Sequence, residues 1–127
     1  MIDALFSQSN YLAAKKMLDA TALRQEAIAR NLANIETPHY QRVDLAPSFS
    51  TALNQAIAAH DSARIKQVQP SIAIDGAALP SGPDGNTVDL ETELLNLSRN
   101  SVAHTLETQL VTGQFARLRL AITGRNI

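Results

Sequence analysis

The chain has no cysteine and no tryptophan. Without thiols there is no disulfide scaffold, no thiolate nucleophile and no cysteine-ligated metal. The absence does not fix the compartment, because many proteins of oxidising spaces also lack cysteine. Aromatic residues amount to only 4%, and charge is nearly balanced, with 11 basic and 12 acidic side chains. Such a balance gives no global attraction to nucleic acid or acidic lipid, so neither is expected as a partner. No apolar run approaches the roughly 18 residues that span a bilayer, and no direct membrane insertion is expected. The opening "MIDALFSQSNYLAAKK" has no basic stretch followed by a long apolar core. It does not read as a cleaved secretory signal. On these facts alone the chain would stay in the cytosol.

What is present is alanine and leucine at helical spacing. Tyr11, Ala14, Leu18, Thr21, Gln25, Ile28, Leu32 and Ile35 alternate steps of three and four. A second series does the same: Leu90, Leu94, Leu97, Ser101, His104, Thr108, Val111, Phe115, Leu118 and Ile122. Such spacing draws one line along a helix, as in a coiled-coil seam. Both segments also carry apolar residues on a second face, among them Ala13, Ala20 and Ala27, and Leu95, Val102, Leu106 and Leu120. A helix apolar on two faces needs more than one neighbour. Asp89 is positioned to cap the second helix, with Glu91 and Glu93 in its first turn and Arg117, Arg119 and Arg125 toward its end.

The expected fold is mainly α: two long terminal helices pairing as a coiled-coil-like bundle, with a loop-rich middle. Residues 1–36 and 88–127 would form a discontinuous helical core, and 37–87 an irregular segment. Within that segment Ser48 to His60 suits a short helix, "IKQVQPSIAI" alternates as a strand does, and "DGAALPSGPDGN" gathers turn residues. Its few large apolar residues suggest no substantial core of its own.

No catalytic or metal-binding pattern stands out. His39, His60 and His104 lack the i, i+4 spacing of a helical metal pair. "DGNTVDLETE" lacks the alternating oxygen ligands of a calcium loop, and "GPDGNT" has no following lysine to cradle phosphate. The expectation is a non-enzymatic chain without a cofactor.

The stretch "RQEAIARNLANIETPHYQRVD" resembles the N-terminal signature of bacterial flagellar rod, hook and related axial proteins. Its pattern is Asn-(Ile/Leu)-Ala-Asn, two variable residues, then Thr-Pro-Gly-Tyr. Asn31, Leu32, Ala33, Asn34, Thr37, Pro38 and Tyr40 match, and His39 stands at the glycine position. The blocks "PSFSTALNQAI", "DGNTVDLETEL" and "TQLVTGQFARLRLAI" are similar to a small proximal-rod member. A second small proximal-rod subunit is the nearest alternative, and a helical type III secreted adaptor a more distant one.

The resemblance implies a structural subunit that polymerises through its terminal helices into a periplasmic tube transmitting motor torque. It implies export through the flagellar type III apparatus without signal cleavage, which replaces the cytosolic reading. Implied partners are the chain itself, other rod subunits, the rod-to-membrane-ring adaptor FliE and the export gate. Phe49 and Leu53 match the family's Phe-x-x-x-apolar gate element. Leu18, Ile28, Leu32, Ile35, Leu90, Leu94, Leu97, Val111, Phe115, Leu118 and Ile122 are the expected helix-packing residues. Asn31 and Asn34 are expected to bond to neighbouring backbone or side chains in a crowded bundle, and Tyr40 to anchor the outgoing strand against an adjacent helix or subunit.

Overall fold

Residues 9–33 contain no glycine or proline and are rich in alanine and leucine, the composition that loses least on becoming helical. In the computed structural model, which describes residues 9–124, they form α1 (Ser9–Ala33). The chain continues through β1 (Val43–Leu45), α2 (Pro47–Ala58), α3 (Ser62–Gln67), β2 (Ile72–Ile74) and α4 (Leu90–Thr123). Residues 1–8 and Arg125, parts of the expected helical ends, lie outside the described residues.

Helix α4 runs 34 residues, or about 50 Å. Its limits are local chemistry. The Asp89 carboxylate accepts hydrogen bonds from the Thr92 amide at 2.9 Å and the Thr92 hydroxyl at 2.6 Å. Those two bonds hold its pKa below the ordinary carboxylate value. Gly124, at φ 63°, closes the other end. Along the outer surface Ser101, Thr105, Thr108 and Thr112 each donate to the carbonyl four residues back. Bonded in this way, the four hydroxyls find acceptors in the helix's own backbone.

The two long helices run antiparallel. Asn31 meets Glu93 at one end of the pair, Thr21 meets Glu107 farther along, and Tyr11 packs edge-on against Phe115 with ring centroids 6.0 Å apart. The line of α4 that faces α1 is not the expected apolar one. Glu93, Asn100 and Glu107 are buried at strict intervals of seven, with Gln114 half-buried one step on. Leu90, Leu94, Phe115 and Ile122 remain 47–64% exposed. Polar groups can face inward because α1 supplies partners: Thr21 donates to Glu107 at 2.9 Å, and the Asn100 amide donates to the Thr21 carbonyl at 2.9 Å and the Gln25 side chain at 3.0 Å. Leu97, Val111 and Leu118 lie half-buried at the edges of this line, as do Leu18 and Leu32 on α1, where Ile28 is buried, and Ile35 in the turn that follows α1.

The hydrophobic core also sits elsewhere than expected. Tyr11, Leu12 and Ala20 of α1 pack with Phe49, Leu53 and Ala56 of α2 and Ile65 of α3. The middle segment therefore builds the core against α1, while α4 contributes Val111 at its margin. Seven such positions suffice because α2 points Phe49, Leu53 and Ala56 to one side. The strand expected over residues 65–74 divides: Ile65 to Gln67 close α3, whose cap is the Asp61 carboxylate, and only Ile72–Ile74 pairs as β2. It lies antiparallel to β1 in the register Val43↔Ile74.

Candidate functional site

The motif residues gather where α1 ends, β1 begins and α4 starts. Asn31 is fully buried in the last turns of α1. Its carboxamide treats Val43 as a strand neighbour would: Oδ1 accepts from the Val43 amide at 2.9 Å and Nδ2 donates to the Val43 carbonyl at 2.8 Å. The remaining Nδ2 hydrogen reaches Glu93 at 3.2 Å, and the Tyr40 hydroxyl donates to Oδ1 at 3.3 Å. One asparagine thus ties α1 to β1, to α4 and to the outgoing chain. Tyr40 is half-buried, and that burial raises its pKa above the ordinary value. Through its bond to Asn31 the Tyr40 hydroxyl meets the chain's own α1.

Asn34 closes the helix. Its amide nitrogen donates to the Arg30 carbonyl at 2.8 Å, and its oxygen accepts from the Thr37 hydroxyl at 3.2 Å. The carbonyls left over at this helix end are collected by Asn86, whose Nδ2 donates to Asn34, Ile35 and Thr37 at 2.8–3.1 Å. Helix ends leave such acceptors unsatisfied by construction. Leu32 lies half-buried beside them, and Ala33, Thr37 and Pro38 are exposed.

Thr37 to Tyr40 form a turn closed by the Tyr40 amide on the Thr37 carbonyl at 3.3 Å. Proline second and a positive φ third are the signature of a type II turn, which favours glycine in third place. Here His39 takes that place with φ 58°. The glycine conformation is kept without the glycine, at an expected cost of about 1–2 kcal/mol. The His39 amide donates to the Asp84 carbonyl at 3.0 Å. Its ring lies over Gly85, where a Cβ would come within 2.8 Å of the His39 Nδ1. A Cβ at 85 would therefore displace the His39 ring from this position.

Beneath the motif is a charge cluster that the sequence pattern did not reveal. The buried Arg42 guanidinium bonds Glu93 through Nε, Asp75 at 2.7 Å and Asp44 at 2.8 Å. Arg24 of α1 closes the set on Asp44 at 3.0 Å. Burial works against the Arg42 charge, but the bonds to Glu93 and Asp44 outweigh it and raise its pKa. Burial likewise pushes Asp44 up, and the Arg42 bond, the Leu45 amide and the nearby Arg24 outweigh it, holding the carboxyl below its ordinary value. Arg42, Asp75 and Glu93 lie far apart in sequence, so only the heptad of polar residues through Glu93, Asn100 and Glu107 hinted at a polar inner face. Arg42 and Glu93 are buried at the centre of the cluster, and Arg24, Asp44 and Asp75 lie partly exposed at its margin. The arrangement ties α1, the β1–β2 pair and the start of α4 together.

Phe49 and Leu53, the matched gate element, are buried in the core at 6% and 4% exposure. No helix among the described residues is long and apolar enough to cross a membrane.

No family model matches the chain. Curated relatives do. It is 28% identical to the flagellar basal body rod protein FlgB of Borrelia hermsii over 86% of this chain and 92% of that one. It is 28% identical to FlgB of Escherichia coli (strain K12), covering 79% and 83%. With FlgB of Proteus mirabilis (strain HI4320) it shares 30% identity over 72% of this chain and 77% of the relative. On that likeness, the chain belongs to the family of the flagellar basal body rod protein FlgB.

Proposed function

We propose that the chain is a structural, non-enzymatic subunit of the proximal rod that polymerises through its long helices and carries motor torque. Rigid coupling needs two features. The joint must fix the angle between the helix pair and the middle segment, which the Asn31, Arg42 and Glu93 network does. The helices must also offer apolar surface to neighbours. The observation that carries the reading is the outer face of α4, where Leu94, Leu95, Val102, Leu106 and Leu110 stand 49–68% exposed along about 25 Å of helix. Neighbouring copies, other rod subunits and FliE would cover it, in the periplasm. Phe49 and Leu53 can meet the export gate only in an unfolded chain, since folding buries both.

The test is a motility assay with in-frame deletion and complementation. Deletion is expected to abolish swimming and rod assembly, and the native chain to restore both. Leu118→Asp should be expressed and exported yet fail to restore swimming. A deletion strain with intact rods and normal swimming rules the reading out.

A further inference from the structure

The near-neutral net charge conceals a separation along the molecule. Among the described residues, where Tyr11 meets Phe115 and Ser9 meets Ser62, the exposed charged groups are mainly Lys15, Arg64, Lys66, Arg117 and Arg119. Asp19 and Asp61 stand against them, and the Asp61 carboxylate is already engaged as the cap of α3. At the opposite end, beside the joint, Glu36, Asp89 and Glu91 are exposed and Asp84 is half-exposed. Of the exposed arginines toward this end, Arg30 is paired with Glu26 at 2.5 Å, and Arg99 lies about two turns along α4 from Glu91. Among the described residues, Glu36, Glu91, Arg117 and Arg119 form no ion pair.

Each end also exposes apolar side chains beside its charges. Leu90, Leu94 and Leu95 flank Glu91, while Phe115, Leu120 and Ile122 surround Arg117 and Arg119. Both sets lie on one continuous helix, so their separation is fixed by α4 itself.

We propose that these ends are two halves of one contact: the acidic, leucine-bearing start of α4 in one copy docks on the basic, apolar end of α4 in the next. The inference rests on the rod-subunit reading and names the surface and the partner, a second copy of this chain. Apolar burial supplies affinity, and complementary charge sets orientation, since like ends repel. A head-to-tail contact uses different surfaces on each copy, so it can extend without closing. That is the geometry a growing axial structure requires.

Sedimentation velocity on the full chain tests it. The native chain should associate in low salt and dissociate as salt screens the contact. Arg117→Glu with Arg119→Glu should weaken association at least about tenfold, and Glu36→Arg with Glu91→Arg should do the same. Mixing the two variants should restore association, because each then offers the other a complementary end. Arg117→Gln with Arg119→Gln should fall between, and circular dichroism melts of all variants check the fold. A native chain monomeric in low salt, a reversed variant that associates like the native chain, or a mixture that stays dissociated overturns the end-to-end contact. None of these results touches the deletion phenotype, which tests the rod role separately.

Discussion

Glu93 and Glu107 lie two heptads apart on the same face of α4, both buried against α1, yet their surroundings differ. Glu93 meets the Arg42 guanidinium and the Asn31 carboxamide. Glu107 meets only the Thr21 hydroxyl at 2.9 Å, with His104 on the other side of that hydroxyl at 3.0 Å. Burial raises the Glu107 pKa, and the Thr21 bond and His104 only partly offset it. The joint end of the helix pair is thus charge-compensated, while the middle of the pair keeps a carboxylate whose charged form burial disfavours.

The largest effect should come from opening the joint. Glu93→Ala leaves Arg42 buried with part of its charge uncompensated, and a loss of about 3–5 kcal/mol is expected in denaturant unfolding. A loss under about 1 kcal/mol would mean the cluster is not holding the elements together. Next in size, Leu53→Ala should cost about 2–5 kcal/mol, because it opens a cavity between α1 and α2. If the long helix pair alone carried stability, that substitution would pass almost unnoticed in a thermal melt.

Smaller effects separate the turn from the seam. Gly85→Ala should be destabilising, partly through its own φ of 75° and partly through collision with the His39 ring. In a His39→Gly background the collision disappears, so a double-mutant cycle should give a coupling of about 0.5–1.5 kcal/mol. Additive effects would show that the ring can move aside freely.

The pH dependence has opposite signs in the two regions. The native state holds a proton on Glu107 more tightly than the unfolded chain does. Its contribution is therefore fully present below the ordinary value of 4.5 and is lost as pH rises through the raised native pKa. Glu107→Gln should stabilise at neutral pH, and the gain should vanish below about 4.5. Asp44 behaves conversely: its stabilisation is present above its ordinary value of 3.8 and is lost as pH falls through the lowered native pKa. Asp44→Asn should cost stability at neutral pH and little in strong acid. Melting temperatures across pH for both variants decide whether the two carboxylates differ as described.

Local features were legible in the residues themselves. Asp89 caps α4, alanine-rich residues 9–33 are helical, and Thr37-Pro38 marks the turn after α1. Each depends on chemistry within a few positions. The sequence of apolar steps on α4 misled because spacing identifies a stripe without saying what covers it. Leu90 and Leu94 fit a heptad as well as Glu93 and Asn100 do, and only the partners on α1 choose between them. The core was missed for a related reason: Phe49, Leu53 and Ile65 are few, but α1 brings Tyr11, Leu12 and Ala20 to meet them.

By itself, then, the sequence determined helix, cap and turn, because those free energies arise between residues a turn or less apart. Tertiary structure decided which face of α4 turns inward, where the core lies, and that Arg42 meets Asp75 and Glu93 across 33 and 51 positions. Buried charge is tolerated only when its counter-charges arrive together, and folding is what brings them together.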